Sequence, residues 1–230
     1  MPYRPKEDCR LCKGAGFVHP VVWERVCYEK IIPCSAPGCL RSSIVGGEPK
    51  AMREQTFETF KRVAGTEDAL KAAQSLAAGG GGFVWLLLYG QPGNGKTHLC
   101  NATVRAVRDR GFEARLILSA DLFATLREGM RDNTTDTILR RYKEVDFLAV
   151  DDYGVEYGSD WESAKFDELM TTRYANGLPT VLVTNKALAD LPDRVRSRFQ
   201  DKAMSRAVLN SAPDYRSQTP TRGLSSAKRQ

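Results

Sequence analysis

The stretch Leu86–Cys100, LLLYGQPGNGKTHLC, decides the fold. It opens as an apolar run, passes through three glycines and a proline, and ends in residues suited to the first turn of a helix. Gly90, Gly95, Lys96 and Thr97 fit the pattern G-x-x-x-x-G-K-T. In such a loop the glycines let successive backbone N–H groups turn inward around a phosphate, and the positive end of the following helix adds to the same field. A lysine at an already electropositive helix terminus makes sense only if an anion binds there. Lys96 is therefore expected on the outer phosphates of ATP and the Thr97 hydroxyl on Mg2+. Gly90, Pro92, Gly93, Asn94, Gly95 and His98 complete the expected nucleotide-contacting stretch.

Outward from this loop, strand-like runs alternate with amphipathic ones. Segments 83–89, 114–119, 146–151 and 179–184 read as strands, and 95–109, 120–129 and 161–175 as helices between them. That alternation predicts an α/β fold in which helices flank a parallel sheet. Upstream, Phe57, Phe60, Val63, Leu70, Ala73 and Leu76 recur at roughly helical spacing and stop at four glycines.

A nucleotide site that turns over needs an acid at the end of a neighbouring strand for Mg2+ and a group that orients the attacking water. The stretch DFLAVDDYG supplies both, with Asp151 as the magnesium acid and Asp152 as the base. Aspartate is one methylene shorter than glutamate, so slow turnover is expected. A third polar group is expected where PTVLVTNK ends, with Asn185 bonding the γ-phosphate or the water. Cys100 reads as a small buried hydrophobe.

Residues 1–45 hold five of the six cysteines and show little helical or strand periodicity. Cys9-x2-Cys12 and Cys34-x4-Cys39 place two thiolate pairs on short glycine-containing loops, a spacing suited to tetrahedral Zn2+. Cys27 or His19 is an alternative ligand. The expected organisation is a zinc-binding module at 1–45, a linker at 46–55, an ATPase domain at 56–210 and a flexible basic tail at 211–230, the last having no acid after Asp214.

With 230 residues and 42% hydrophobic side chains, the chain can bury one ordinary core and a small appendage. No run is long and apolar enough to span a membrane, and the N-terminus lacks the apolar centre of a signal peptide. A cytoplasmic location is expected, with cysteines reduced or metal-bound. The net charge of +6 is a mild lean toward polyanions.

In order, GQPGNGKTHL, SADLFATLR, VDFLAVDDYG, TTRYANGLPTVLVTN and RVRSRFQD resemble the AAA+ core of bacterial and phage replicative-helicase loaders of the DnaC/DnaI type, over about residues 56–216. The resemblance implies an AAA+ domain with little or no helical lid, since about thirty residues follow Arg198. It also implies self-association, with an arginine of one subunit reaching the nucleotide of its neighbour. The arginine of SRF, Arg198, matches that position; Arg194, Arg196 and Arg173 are alternatives. Arg216 resembles the arginine that reads nucleotide state. An N-terminal zinc module resembles the part of the loaders that binds the helicase. The implied function is ATP-dependent assembly of a hexameric replicative helicase on single-stranded DNA. Two other readings are a transposition helper of the IstB type acting on duplex DNA, and a zinc-containing adaptor that binds nucleotide with little hydrolysis.

Overall fold

The computed structural model describes residues 54–154 and 159–215, together with the backbone of four two-residue strands nearer the N-terminus. Of these, β1 (Phe17–Val18) pairs antiparallel with β4 (Ile32–Pro33), and β2 (Val21–Val22) with β3 (Arg25–Val26). The cysteines Cys9, Cys12, Cys27, Cys34 and Cys39, His19 and Arg216 lie outside the described residues. Among the described residues no cluster of His, Cys, Asp or Glu is placed to hold a metal, and no helix is long and apolar enough to cross a membrane.

The main body is a five-stranded, all-parallel sheet in the order β6-β7-β8-β5-β9, built from β5 (Trp85–Tyr89), β6 (Ala114–Leu118), β7 (Phe147–Tyr153), β8 (Thr180–Thr184) and β9 (Ser205–Leu209). Six helices are interspersed with these strands: α1 (Glu67–Ala78), α2 (Lys96–Asp109), α3 (Ser119–Arg131), α4 (Thr135–Glu144), α5 (Asp160–Ala175) and α6 (Asp193–Gln200). The predicted segments 95–109, 120–129 and 161–175 correspond to α2, α3 and α5.

Strand alternation explains why the central runs are apolar throughout. Successive side chains point to opposite faces, and here both faces are covered by helices. Leu86, Leu88, Ala149, Val181 and Val183 enter one core with Leu70, Leu76, Leu99 and Val104. Trp85, Leu87, Leu148, Val150 and Leu182 enter the other with Leu122, Leu126, Phe166, Leu169 and Phe199. Trp85 is fully buried, and its indole N–H donates to the Leu178 carbonyl at 3.1 Å. Because β5 lies next to β8, the loop leaving it emerges at the carboxyl edge beside the end of β8 and one strand from the end of β7. That edge is where parallel sheets form crevices.

The structure corrects one local expectation and adds three elements. The helix read back to Phe57 begins only at Glu67: Gly65 has φ +90°, which breaks the turn, and Phe57, Phe60 and Val63 belong to a non-helical segment. The helix ends at Gly79, whose φ of +78° and N–H bonds to Ser75 and Leu76 carbonyls close it in a left-handed cap. Strand β9 and helices α4 and α6 lie outside the segments that periodicity predicts. In β9 only Ser205 and Val208 are buried, and in α4 only Leu139, so neither carries a clear apolar stripe.

Candidate nucleotide site

The loop Gly90–Gly95 connects β5 to α2 and lines a cavity of about 570 Å³. Two glycines are required by what touches them. A Cβ on Gly93, at φ +75°, would lie 1.8 Å from Asp214 Oδ1; one on Gly95, at φ +92°, would lie 2.8 Å from the Phe60 ring. The loop is thus held from two sides. Tyr215 N–H donates to the Gly93 carbonyl at 3.0 Å. Asn94 and Asn210, both buried, exchange reciprocal side-chain to backbone bonds of 2.7 and 2.9 Å.

Lys96 begins α2 and is 5% exposed. Its ammonium donates to the carbonyls of Gly90 (2.9 Å) and Gln91 (2.7 Å) and to Asn94 Oδ1 (3.1 Å). Loop oxygens therefore hold the cation at the helix N-terminus, where its charge and the helix end act on the same volume. His98, in the first turn of α2, takes a different place. Its Nε2 lies 2.8 Å from the Thr56 carbonyl and its ring meets Phe60 edge-on at 5.2 Å, so it fastens the 54–60 segment over the site while lining the cavity.

The acids arrive from β7. Burial pushes the carboxyl of Asp151 up, while the Thr97 hydroxyl and the Asp152 N–H (2.9 Å) act in the opposite direction by bonding it. A buried carboxylate beside a hydroxyl is a hard oxygen pair in need of positive charge, which fits Mg2+. Asp152 lines the same cavity, and Asn185 Nδ2, from the end of β8, donates to Asp152 Oδ1 at 3.1 Å. Lys96, Thr97, Asp151, Asp152 and Asn185, three separate stretches of sequence, thus converge on one space, together with Pro92, Gly93, Asn94 and Gly95.

Among the described residues, no arginine lines this cavity. Arg198, on α6, donates to Asp167 Oδ1 at 2.9 Å and to the Thr171 hydroxyl. Arg194 shares Asp167 at 2.6 Å, and Arg196 pairs with Asp193 on its own helix. Arg173 is ruled out as an interface residue. It is fully buried, and its guanidinium donates to the Tyr142, Lys143, Val145 and Pro179 carbonyls and the Thr180 hydroxyl, satisfying the C-terminal carbonyls of α4. Burial lowers its pKa to about 9, and the five oxygens favour the cation.

The profile of the bacterial DnaA ATPase domain matches residues 52–205. The chain belongs to this family. The ATPase domain so identified has the AAA+ architecture: domain III of the DnaA replication initiation protein from Thermotoga maritima superposes with a TM-score of 0.63 at 26% identity, covering 70% of this chain and 68% of that one. The DnaC helicase loader superposes at 0.58 with 24% identity, covering 71% of this chain and all of the other, and likewise shares the fold. In sequence, the replicative helicase loader DnaC of Escherichia coli K12 is 26% identical over 184 residues, 72% of this chain and 75% of the relative. The chromosomal replication initiator DnaA of Thermomicrobium roseum is 33% identical over 153 residues, 63% of this chain but only 32% of the relative. The chain spans about a third of that initiator's length.

Several residues around this DnaA-type site escape sequence reading. Phe60, Lys61, Ser119, Asn210 and Tyr215 take their places through contacts between distant parts of the chain, and only Phe60 carried a signal, as an apolar position assigned to the wrong element.

Proposed function

We propose that the chain is an ATP-dependent loader that places a hexameric replicative helicase on single-stranded DNA in the cytoplasm. The observation that carries the reading is the convergence of Lys96, Thr97, Asp151, Asp152 and Asn185 on one cavity, in a chain that is 26% identical over 184 residues to a DnaC helicase loader.

In this reading Lys96 compensates the outer phosphates, and Thr97 with Asp151 holds Mg2+, which supplies charge neutralisation on the phosphate oxygens. Asp152 accepts a proton from the attacking water, and Asn185, already bonded to that carboxylate, fixes its orientation. The cavity lining contains no arginine among the described residues, so the charge that grows on the transferred phosphoryl group is met by Arg198 of an adjacent subunit. Its pairing with Asp167 is the contact to be exchanged on assembly.

Mixing tests this directly. Arg198→Ala is expected to keep ATP affinity near parental and to lose roughly 10³-fold or more in turnover, by analogy with arginine fingers generally. Combining it with Lys96→Ala subunits, whose Arg198 is intact, should restore part of the activity. Co-assembly without recovery contradicts a shared site.

The segment 1–45 is proposed to fold around zinc through Cys9, Cys12, Cys34 and Cys39 and to contact the helicase. Metal analysis of protein expressed with ample zinc should return about one equivalent; less than about half an equivalent counts against this ligand set.

A further inference from the structure

In a regular strand, consecutive side chains face opposite sides of the sheet. Asp151 and Asp152 are consecutive in β7, yet both line the cavity. The pairing of β7 with β8 shows how. Register runs Leu148↔Thr180, Ala149↔Val181 and Val150↔Leu182, then resumes at Tyr153↔Thr184. Two residues, Asp151 and Asp152, therefore stand opposite Val183 alone, which is a β-bulge. At its centre Asp152 has φ +56°; Asn133 is the only other non-glycine residue with positive φ among those described. Such a conformation persists only where neighbours over-determine it.

Three bonds hold Asp152. Its N–H donates to Asp151 Oδ1 at 2.9 Å, its carboxylate accepts from Asn185 at 3.1 Å, and its carbonyl accepts from the Ser119 hydroxyl at 2.9 Å. The Thr184 hydroxyl fixes the next carbonyl, that of Tyr153, at 2.6 Å. Ser119 is fully buried and lies immediately after β6, whose last residue Leu118 is in register with Asp151. Of the groups that fix the peptide of Asp152, Ser119 comes from outside β7 and does not line the cavity.

We infer that Ser119 is a positioning residue for hydrolysis: its hydroxyl locks the Asp152 peptide in the left-handed conformation that turns the second carboxylate toward the nucleotide. Without that bond the peptide is free to relax toward the extended conformation, which directs the Asp152 side chain to the other face. The inference rests on the reading of Asp152 as the base. It assigns Ser119 no contact with ATP, so binding and turnover should separate.

The test measures steady-state ATP hydrolysis, ATP affinity and melting temperature on the full chain for Ser119→Ala, Ser119→Cys, Asp152→Asn and the double variant Ser119→Ala/Asp152→Asn. Cysteine keeps the buried volume filled while donating only weakly, so it remains informative if alanine compromises folding. Asparagine tolerates positive φ and removes only the charge. Both Ser119 variants are expected to lose roughly tenfold in kcat, a part of the 10²–10⁴ that a general base contributes, with ATP affinity near parental. Asp152→Asn should lose more, and adding Ser119→Ala to it should cost nothing further, because the group being aimed is already gone. Parental kcat in Ser119→Cys, or an independent tenfold loss in the double variant, overturns the positioning role while leaving the base assignment intact. Parental kcat in Asp152→Asn overturns both.

Discussion

Lys96→Ala is expected to abolish ATP turnover and to weaken ATP binding markedly. The lysine is the only cationic side chain of the phosphate loop, and it is held at the start of α2 by three loop oxygens. Removing the ammonium leaves the loop itself only backbone N–H groups and the helix end to set against polyphosphate charge. The same deletion removes the donor to the Gly90 and Gln91 carbonyls and to Asn94 Oδ1, which the ammonium now ties together. Titration with ATP and a steady-state hydrolysis assay check both halves. Hydrolysis at the parental rate in this variant would remove the site assignment altogether.

Arg173→Leu is expected to be the most destabilising single change outside the hydrophobic cores. The buried guanidinium satisfies four carbonyls and one hydroxyl, and its bonds to the Val145 and Pro179 carbonyls and the Thr180 hydroxyl are buried. Each buried acceptor left without a donor costs about 1–3 kcal/mol, and breaking a buried charged network typically costs about 3–5 kcal/mol. A loss on the order of 3–5 kcal/mol is therefore expected in chemical unfolding. Arg173→Lys should recover only part of it, because an ammonium cannot reproduce the planar fork that reaches both the end of α4 and the start of β8. A change below about 1 kcal/mol in Arg173→Leu would show that the carbonyls find other donors.

These two residues also mark what the sequence makes legible. Lys96 sits in a local pattern whose chemistry depends on neighbours within a few positions, so the loop, the flanking strand and the helix could be read directly. Strands β5, β7 and β8 were legible for a related reason: both of their faces are buried, and a continuous apolar run records that. Arg173 reads as a surface arginine because its partners lie in α4 and β8, and nothing in its own helix reports them. Phe60 shares the period of α1 by coincidence of spacing, while Gly65 interrupts the backbone between them. Strand β9 is half exposed, with Arg206 and Leu209 facing outward, and so lacks the run that revealed its neighbours. The left-handed Asp152 is hidden for a different reason, since a bulge depends on cross-strand register that a single strand does not encode.

The site joins these levels. The glycine loop is shaped by residues before it, Thr56 to Phe60, and by residues after β9, Asn210 to Tyr215, so the two ends of the described domain close on the same few peptides. Lys61 and Tyr215, whose ammonium lies 5.0 Å from the ring centroid, connect those ends at the cavity's rim.

The most direct measurement of the loader account uses the full chain, the replicative helicase of the same cell and closed circular single-stranded DNA, on which a hexameric ring must be opened to enter. With ATP, the chain should raise the amount of helicase retained on the circle, and Lys96→Ala should not. Equal retention with and without the chain, although chain and helicase bind each other, would contradict the account, as would ATP-dependent binding that clearly favours duplex over single-stranded DNA.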